Sequence, residues 1–355
     1  MIKNSQRQTD RHNPVPHRDS FSRQGKRGIL LSVSLSLTFL FASHALGSPF
    51  LSGWTPRWGA SAVLLRNGKV LITGGFNGKD LGTTELLDPG TLSWRRLAPD
   101  PHPRTSSNAV LTPDGKLLVI GGYDGTYLNT IERFDPEKNR WKEIPGSGTP
   151  RAGAVLVPLR NGKLFIAGGF NDSGYLSSAT EFDPVTGRWK TLASDPVSRW
   201  SATGSLLSSG QVFVTGGYNG QNLGSTEIYT PETNTWKTVS PDPEPRWGAV
   251  SVPLPSRKIL VVGGYRDDYM GTAEIYDPEH DVWQKAASDP VPRERASAVL
   301  LPDGNVLLIG GLNASGFPEN SEIYLPQKDQ WKRVVFKKHP NPTKNGSDSI
   351  KRTLH

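Results

Sequence analysis

Six arginines, Arg57, Arg104, Arg151, Arg199, Arg246 and Arg293, recur every 47 or 48 residues, and Trp58, Trp200 and Trp247 directly follow three of them. Cations interleaved with indoles suit an anionic or sugar-like ligand, through charge-assisted hydrogen bonds and stacking. Two copies add further charge. The fifth carries Arg266, Asp267 and Asp268 after a Gly-Gly pair, and the sixth replaces Trp-Gly by Glu294-Arg295. If these groups converge beside Trp247, then Glu294, Arg295, Arg266 and Asp268 are candidates for acid–base work and charge stabilisation. The repeated charges also have a structural reading. Asp100, Asp195, Asp242 and Asp289 each precede an arginine by four residues, and Glu85, Glu132, Glu227, Glu274 and Glu322 recur at another fixed place. Consistent local pairs of this kind specify a fold. In the third copy Thr180 takes the glutamate place and Glu181 is displaced by one, which a strand period of two turns to the opposite face unless a bulge absorbs the shift.

Other chemistries find little support. There is no cysteine, and only His102 and His280 lie within the repeats, so no metal site and no cofactor are expected. The Gly-Gly pairs end apolar runs and no Lys-Ser or Lys-Thr completes a phosphate-binding loop. No serine sits in a recognisable nucleophile elbow.

The elements that must position these residues follow from the repeat. Each arginine stands seventeen residues before a glycine pair, beginning at Gly74, Gly121, Gly168, Gly216, Gly263 and Gly310. Nineteen or twenty residues after each pair comes Trp94, Trp141, Trp189, Trp236, Trp283 or Trp331, with a proline five residues earlier. A period in this range marks a solenoid, propeller or array. One copy reads as four short strands, 60–65, 70–75, 83–87 and 94–97, rich in β-branched, leucine and aromatic residues. Asn67-Gly68, Asp114-Gly115, Asn161-Gly162, Ser209-Gly210 and Asp303-Gly304 supply tight hairpins between the first two. Four antiparallel strands cannot cover both faces alone, so the units must stack radially. Alternating strand direction then places the connection after each Gly-Gly and the connection into each arginine on one rim.

Arginine, an apolar strand ending in Gly-Gly, then Glu-x-Tyr-Asp-Pro and tryptophan resembles the kelch repeat, most closely in the Ala273–Pro278 string Ala-Glu-Ile-Tyr-Asp-Pro. The resemblance covers residues 54–336. It implies an all-β, six-bladed kelch-type β-propeller with four antiparallel strands per blade and the first strand nearest the channel. Galactose-oxidase-like enzymes, which share kelch blades, need a cysteine-linked tyrosine that this chain cannot form. The periplasmic sialic acid epimerase, a six-bladed kelch propeller, is similar in outline, but its catalytic residues find no position-by-position match. Phe50 stands seven residues before Arg57, the slot filled elsewhere by Leu97, Ile144, Leu192, Val239 and Ala286. The segment around it is expected to latch the ring.

The chain begins with seven basic and two acidic residues in 1–47, including an uncharged apolar run from Ile29 to Ala42 followed by small residues. This reads as a cleaved export signal, with an uncleaved membrane anchor as the alternative. Residues 337–355 hold five basic residues against one acidic and read as a polar tail. The formal net charge of +8 therefore resides at the ends, leaving −1 between them, and nucleic acid is not an indicated partner. The expected organisation is an export signal over 1–47, a propeller over 48–336 and a basic tail over 337–355. A periplasmic or secreted, monomeric, noncatalytic scaffold that binds a protein or glycan at the cell envelope is the first functional reading. The alternative is a metal-free epimerase or mutarotase acting on sialic acid or a similar anionic sugar.

Overall fold

The computed structural model describes residues 54–336 except 145 and 147. The expected signal over 1–47, the segment around Phe50 and the tail over 337–355 lie outside the described residues. Six four-stranded antiparallel sheets follow one another along the chain and form the six blades of a β-propeller. Blade I comprises Ser61–Leu64, Val70–Thr73, Thr84–Asp88 and Ser93–Arg96. Blades II to VI occupy 108–144, 155–192, 203–239, 250–286 and 297–334 in the same order. Among the described residues each blade is built from its own stretch of chain, with no strand exchanged between blades I and VI.

The second strand of every blade, from Val70–Thr73 to Val306–Ile309, is buried at all four residues. Those strands are apolar apart from Thr73 and Thr215 because a neighbouring blade covers each face. A separate hydrophobic core fills every blade interface: Leu71 and Leu86 meet Leu117 and Phe134 between blades I and II, and Ile72 and Leu87 meet Val299 and Ile309 between blades I and VI. Each fully buried aliphatic or aromatic side chain contributes about 1.5–3 kcal/mol, so six such cores stabilise the ring without disulfides. The strand-opening tryptophans bridge blades as well. Trp141, Trp236 and Trp283 donate their indole N–H to Ala98, Ala193 and Ser240 of the preceding blade, each at 2.8 Å.

Two further devices close the ring. The second glycine of each pair donates its backbone N–H to the arginine carbonyl of the next blade, from Gly75 to Arg104 at 2.8 Å round to Gly311 and Arg57 at 2.9 Å. A Cβ on Gly74 would stand 2.9 Å from the Arg104 carbonyl oxygen, at a φ of +71°, so this approach admits only glycine. The second device involves the residue two places after each arginine. Gly59, Ser106, Gly153, Ser201, Gly248 and Arg295 all have positive φ. Ser106 N–H donates to Gly59, Gly153 to Ser106, Ser201 to Gly153, Gly248 to Ser201, Arg295 to Gly248 and Gly59 to Arg295, at 2.7–3.0 Å. These six bonds form a closed belt around the axis. The two ends of the described residues meet at blade I, where Trp54 stacks on Trp94 at 4.8 Å and Phe336 meets Trp94 edge-on at 5.1 Å.

The first hairpin differs from its expected form in one detail. Leu65 N–H donates to Lys69 and Gly68 N–H to Leu65, so the loop has three residues, with positive φ at Gly68 but not at Asn67. It is the type I turn with a left-handed third residue rather than a two-residue turn. In blade V, which lacks a glycine there, Arg257 adopts φ +67°.

Candidate functional site

The expected ring of ligand-facing arginines is corrected by their burial. Arg57, Arg104, Arg151, Arg199, Arg246 and Arg293 are all buried and bond within their own blades. Nη1 of each donates to the carbonyl of the first glycine of its pair, as Arg57 does to Gly74 at 2.9 Å and Arg293 to Gly310 at 3.1 Å. The repeated carboxylates complete the device. Arg246 pairs with Asp242 at 3.0 Å and with Glu274, and Arg293 with Asp289 at 3.1 Å and with Glu322. Every guanidinium is thus engaged inside a blade: a buried cation needs counter-charge and satisfied donors. Burial pushes Glu227 up to about 6 against the pull of Arg199. In blade III, Glu181 faces away and pairs with Lys163 at 2.7 Å. Among the described residues Arg151 there bonds to oxygens of Thr149, Gly168 and Ser178, and burial lowers its pKa to about 10.

The three tryptophans are also buried, at 6%, 2% and 9% exposure for Trp58, Trp200 and Trp247, so they form no open stacking platform. They surround Arg295. Its guanidinium carbon lies 4.7 Å from the Trp58 ring, 4.2 Å from Trp200 and 5.4 Å from Trp247, within the range of cation–π attraction. Nη1 donates to Ser106 Oγ at 2.8 Å. Contacts with blades I, II, IV and V place this side chain on the propeller axis. The sequence explains why it fits: five belt positions are glycine or serine, and the sixth carries the one long side chain that fills the space they leave. Burial lowers Arg295 to about 10, opposed by Glu294.

Glu294 pairs through its backbone with Leu312, and its side chain is 7% exposed with Oε2 lacking a hydrogen-bond partner. Burial pushes its carboxyl up to about 7, with Arg295 pulling the other way. The carboxylate also raises the phenols of Tyr265 and Tyr269, though burial is the larger cause for both. The expected polar cluster beside Trp247 therefore forms in part. Glu294 and Arg295 meet there, whereas Arg266 turns to Glu244 at 2.8 Å and Asp267 and Asp268 stand exposed at the tip of a two-stranded hairpin, Tyr265–Arg266 with Asp268–Tyr269.

Above this floor runs a rim of aromatic rings. The residue following five of the six glycine pairs is aromatic, Phe76, Tyr123, Phe170, Tyr218 or Tyr265, and each forms a β-bridge to the residue after an arginine. With Tyr127, Tyr175 and Tyr269 they make a rim of partly exposed rings. Tyr123, Tyr127, Phe170, Tyr175 and Tyr218 touch in succession at 5.1, 5.8, 5.0 and 5.8 Å, and a second group, Trp247, Tyr265 and Tyr269, touches at 5.3 Å each. The recurrent aromatic after Gly-Gly was the available signal.

Among the described residues one group could hold a metal. Asp100, His102 and Glu132 bring ligand atoms within 4.8 Å of one another, with His102 Nδ1 2.7 Å from Glu132 Oε1. Arg104 stands 3.5 Å from both carboxylates, so this is the repeat's own ion network with a histidine added.

Comparisons agree with this architecture. The KLHDC2/KLHL20/DRC7 Kelch-repeats domain matches residues 99–264, and the Kelch motif matches 57–101 and 249–290. No curated protein matches the chain. Among solved structures, one titled "Structure of YjhT" is similar with a TM-score of 0.67 at 17% identity, covering 80% of this chain and 99% of that one. At that identity the likeness concerns the fold.

Proposed function

We propose that this chain, which belongs to the kelch-repeat family, is an exported, noncatalytic propeller that binds a protein at the cell envelope through the face bearing the aromatic rim. The observation that carries this reading is the continuous arc of partly exposed rings from Tyr123 to Tyr218. Rigid aromatics offer large contact area at low entropic cost. Five of these rings are contributed by loops that the blades hold in fixed register. Export rests on the basic and apolar N-terminal segment alone. Fractionation of producing cells and N-terminal sequencing of the mature chain test it; an intact chain in the cytoplasm contradicts it. Binding is tested by comparing what the wild-type protein and a Tyr127→Ala/Tyr175→Ala variant retain from envelope extracts. A partner lost only by the variant supports the rim; equal retention opposes it.

A second reading is favoured by Glu294, whose carboxyl near 7 has the acidity of a neutral-pH general acid or base. In that reading a sugar acid enters above Arg295 and Glu294 moves a proton at its anomeric centre. Proton NMR of anomer exchange in N-acetylneuraminate tests it, with acceleration abolished by Glu294→Gln as the supporting result. A glycan held without turnover would place the rim among noncatalytic sugar sites.

A further inference from the structure

The charge around the rim indicates what kind of segment it accepts, an inference that rests on the recognition reading above. The six connections that follow the glycine pairs expose Asp124, Asp172, Asp267, Asp268 and Glu319. None of these makes an ion pair with another described residue. Among the described residues of the same connections, Lys79 is the exposed cation, since Arg266 is half-buried and held by Glu244. The six repeat arginines cannot offset this charge from inside the blades. The face expected to be cationic is therefore acidic.

Aromatic rings stand among these carboxylates, and ring faces attract cations. Arg295 shows this chemistry inside the protein, with three indoles around one guanidinium. At the foot of the rim, beside Tyr265 and Tyr269, lies Glu294, more than nine-tenths buried and with Oε2 unpartnered. An acceptor held there without a donor matches a cationic head group entering from above. An anionic sugar or a nucleic acid would meet five uncompensated carboxylates before reaching it.

We propose that the rim docks a lysine- and arginine-rich extended segment of a partner protein, with the basic side chains lying over the tyrosines and their head groups on Asp124, Asp172, Asp267, Asp268 and Glu294. Long aliphatic stems suit the half-buried rings while the charges remain near water. Complementary charge of this kind also speeds encounter and rejects acidic partners.

The test is fluorescence anisotropy of the purified protein with a labelled octapeptide of alternating lysine and arginine, against an all-glutamate octapeptide. Binding of the basic peptide alone is expected, weakened strongly at about 0.5 M salt, where exposed charges are screened within a few ångströms. The variant Asp124→Asn/Asp172→Asn/Asp267→Asn/Asp268→Asn should lose about tenfold or more in affinity while keeping its unfolding midpoint, because solvated loop charges add little stability. Tyr127→Ala/Tyr175→Ala should lose affinity too, which charge attraction alone would not produce. Equal binding of both peptides, preference for the glutamate peptide, or unchanged affinity in the four-Asn variant overturns the proposal. If a partner meets the rim through a neutral or acidic segment, this inference falls and the recognition function stands. If the rim meets neither peptide nor partner, both fall.

Discussion

Arg295 of blade VI donates from Nη1 to Ser106 Oγ of blade II at 2.8 Å, across 189 residues of sequence. That bond, with three indoles around the same guanidinium, seals the axis on the face where the rim lies. Removing the side chain leaves the indoles around an empty centre. Arg295→Ala is expected to lower stability by about 2–4 kcal/mol, from lost cation–π attraction and a cavity. Arg295→Lys should recover part of it, since a cation returns without the planar fork. Urea unfolding followed by tryptophan fluorescence measures both; an alanine variant as stable as wild type would mean the plug carries no weight.

Glu294 gives a pH signature. Its folded value near 7 lies above the ~4.3 of a glutamate in an unfolded chain. The folded state therefore holds the proton more tightly, and the stability this contributes is complete below about pH 4 and lost as pH rises to about 7. The full effect amounts to about 4 kcal/mol as an upper bound. Arg295, Tyr265 and Tyr269 face the same carboxyl and titrate well above that window. The stability difference between wild type and Glu294→Gln should thus fall with pH across this range and level off above it. A difference independent of pH would contradict the assignment.

The repeat arginines should differ among themselves. Arg246→Met leaves Asp242 and Glu274 buried without a counter-ion, an expected cost of about 3–5 kcal/mol. Arg151→Met leaves neutral oxygens of Thr149, Gly168 and Ser178, for which about 1–3 kcal/mol is expected. Matched denaturant titrations read the difference; equal losses would show that the carboxylates do not set the cost.

Most of the fold was legible because its devices repeat. Four strands per copy, the Gly-Gly approach and the Asp–Arg–Glu pairs recur in register, and each appears in the structure where its spacing placed it. The site was less legible, for a reason visible at Arg246. A recurring arginine on a rim looks like a ligand-binding charge until its donors are counted, and the count requires knowing that the Gly263 carbonyl, Asp242 and Glu274 all converge on it. Trp200 misled similarly, because the indole points inward to Arg295 rather than outward. That position depends on a closed belt joining residues up to 236 apart, such as Gly59 and Arg295, which no local pattern reveals.

Trp54 ties the start of the described chain to both Trp94 and the blade I–VI interface, while Thr55 Oγ1 donates to Glu85 at 2.8 Å. Trp54→Ala should cost about 3–5 kcal/mol, as for other buried large aromatics. Hydrogen exchange should quicken first in blades I and VI, where the ring has no covalent continuity. Uniform quickening of all six blades would argue against a latch.

The central claim is that the rim face, rather than the opposite face, meets the partner. A photo-crosslinking amino acid at Asp172, exposed in the rim, and separately at Val185, 91% exposed at the turn between the third and fourth strands on the opposite side, tests this in cells producing the protein. The account expects a discrete protein adduct from position 172 and none from 185. An adduct from 185 with none from 172 would contradict it.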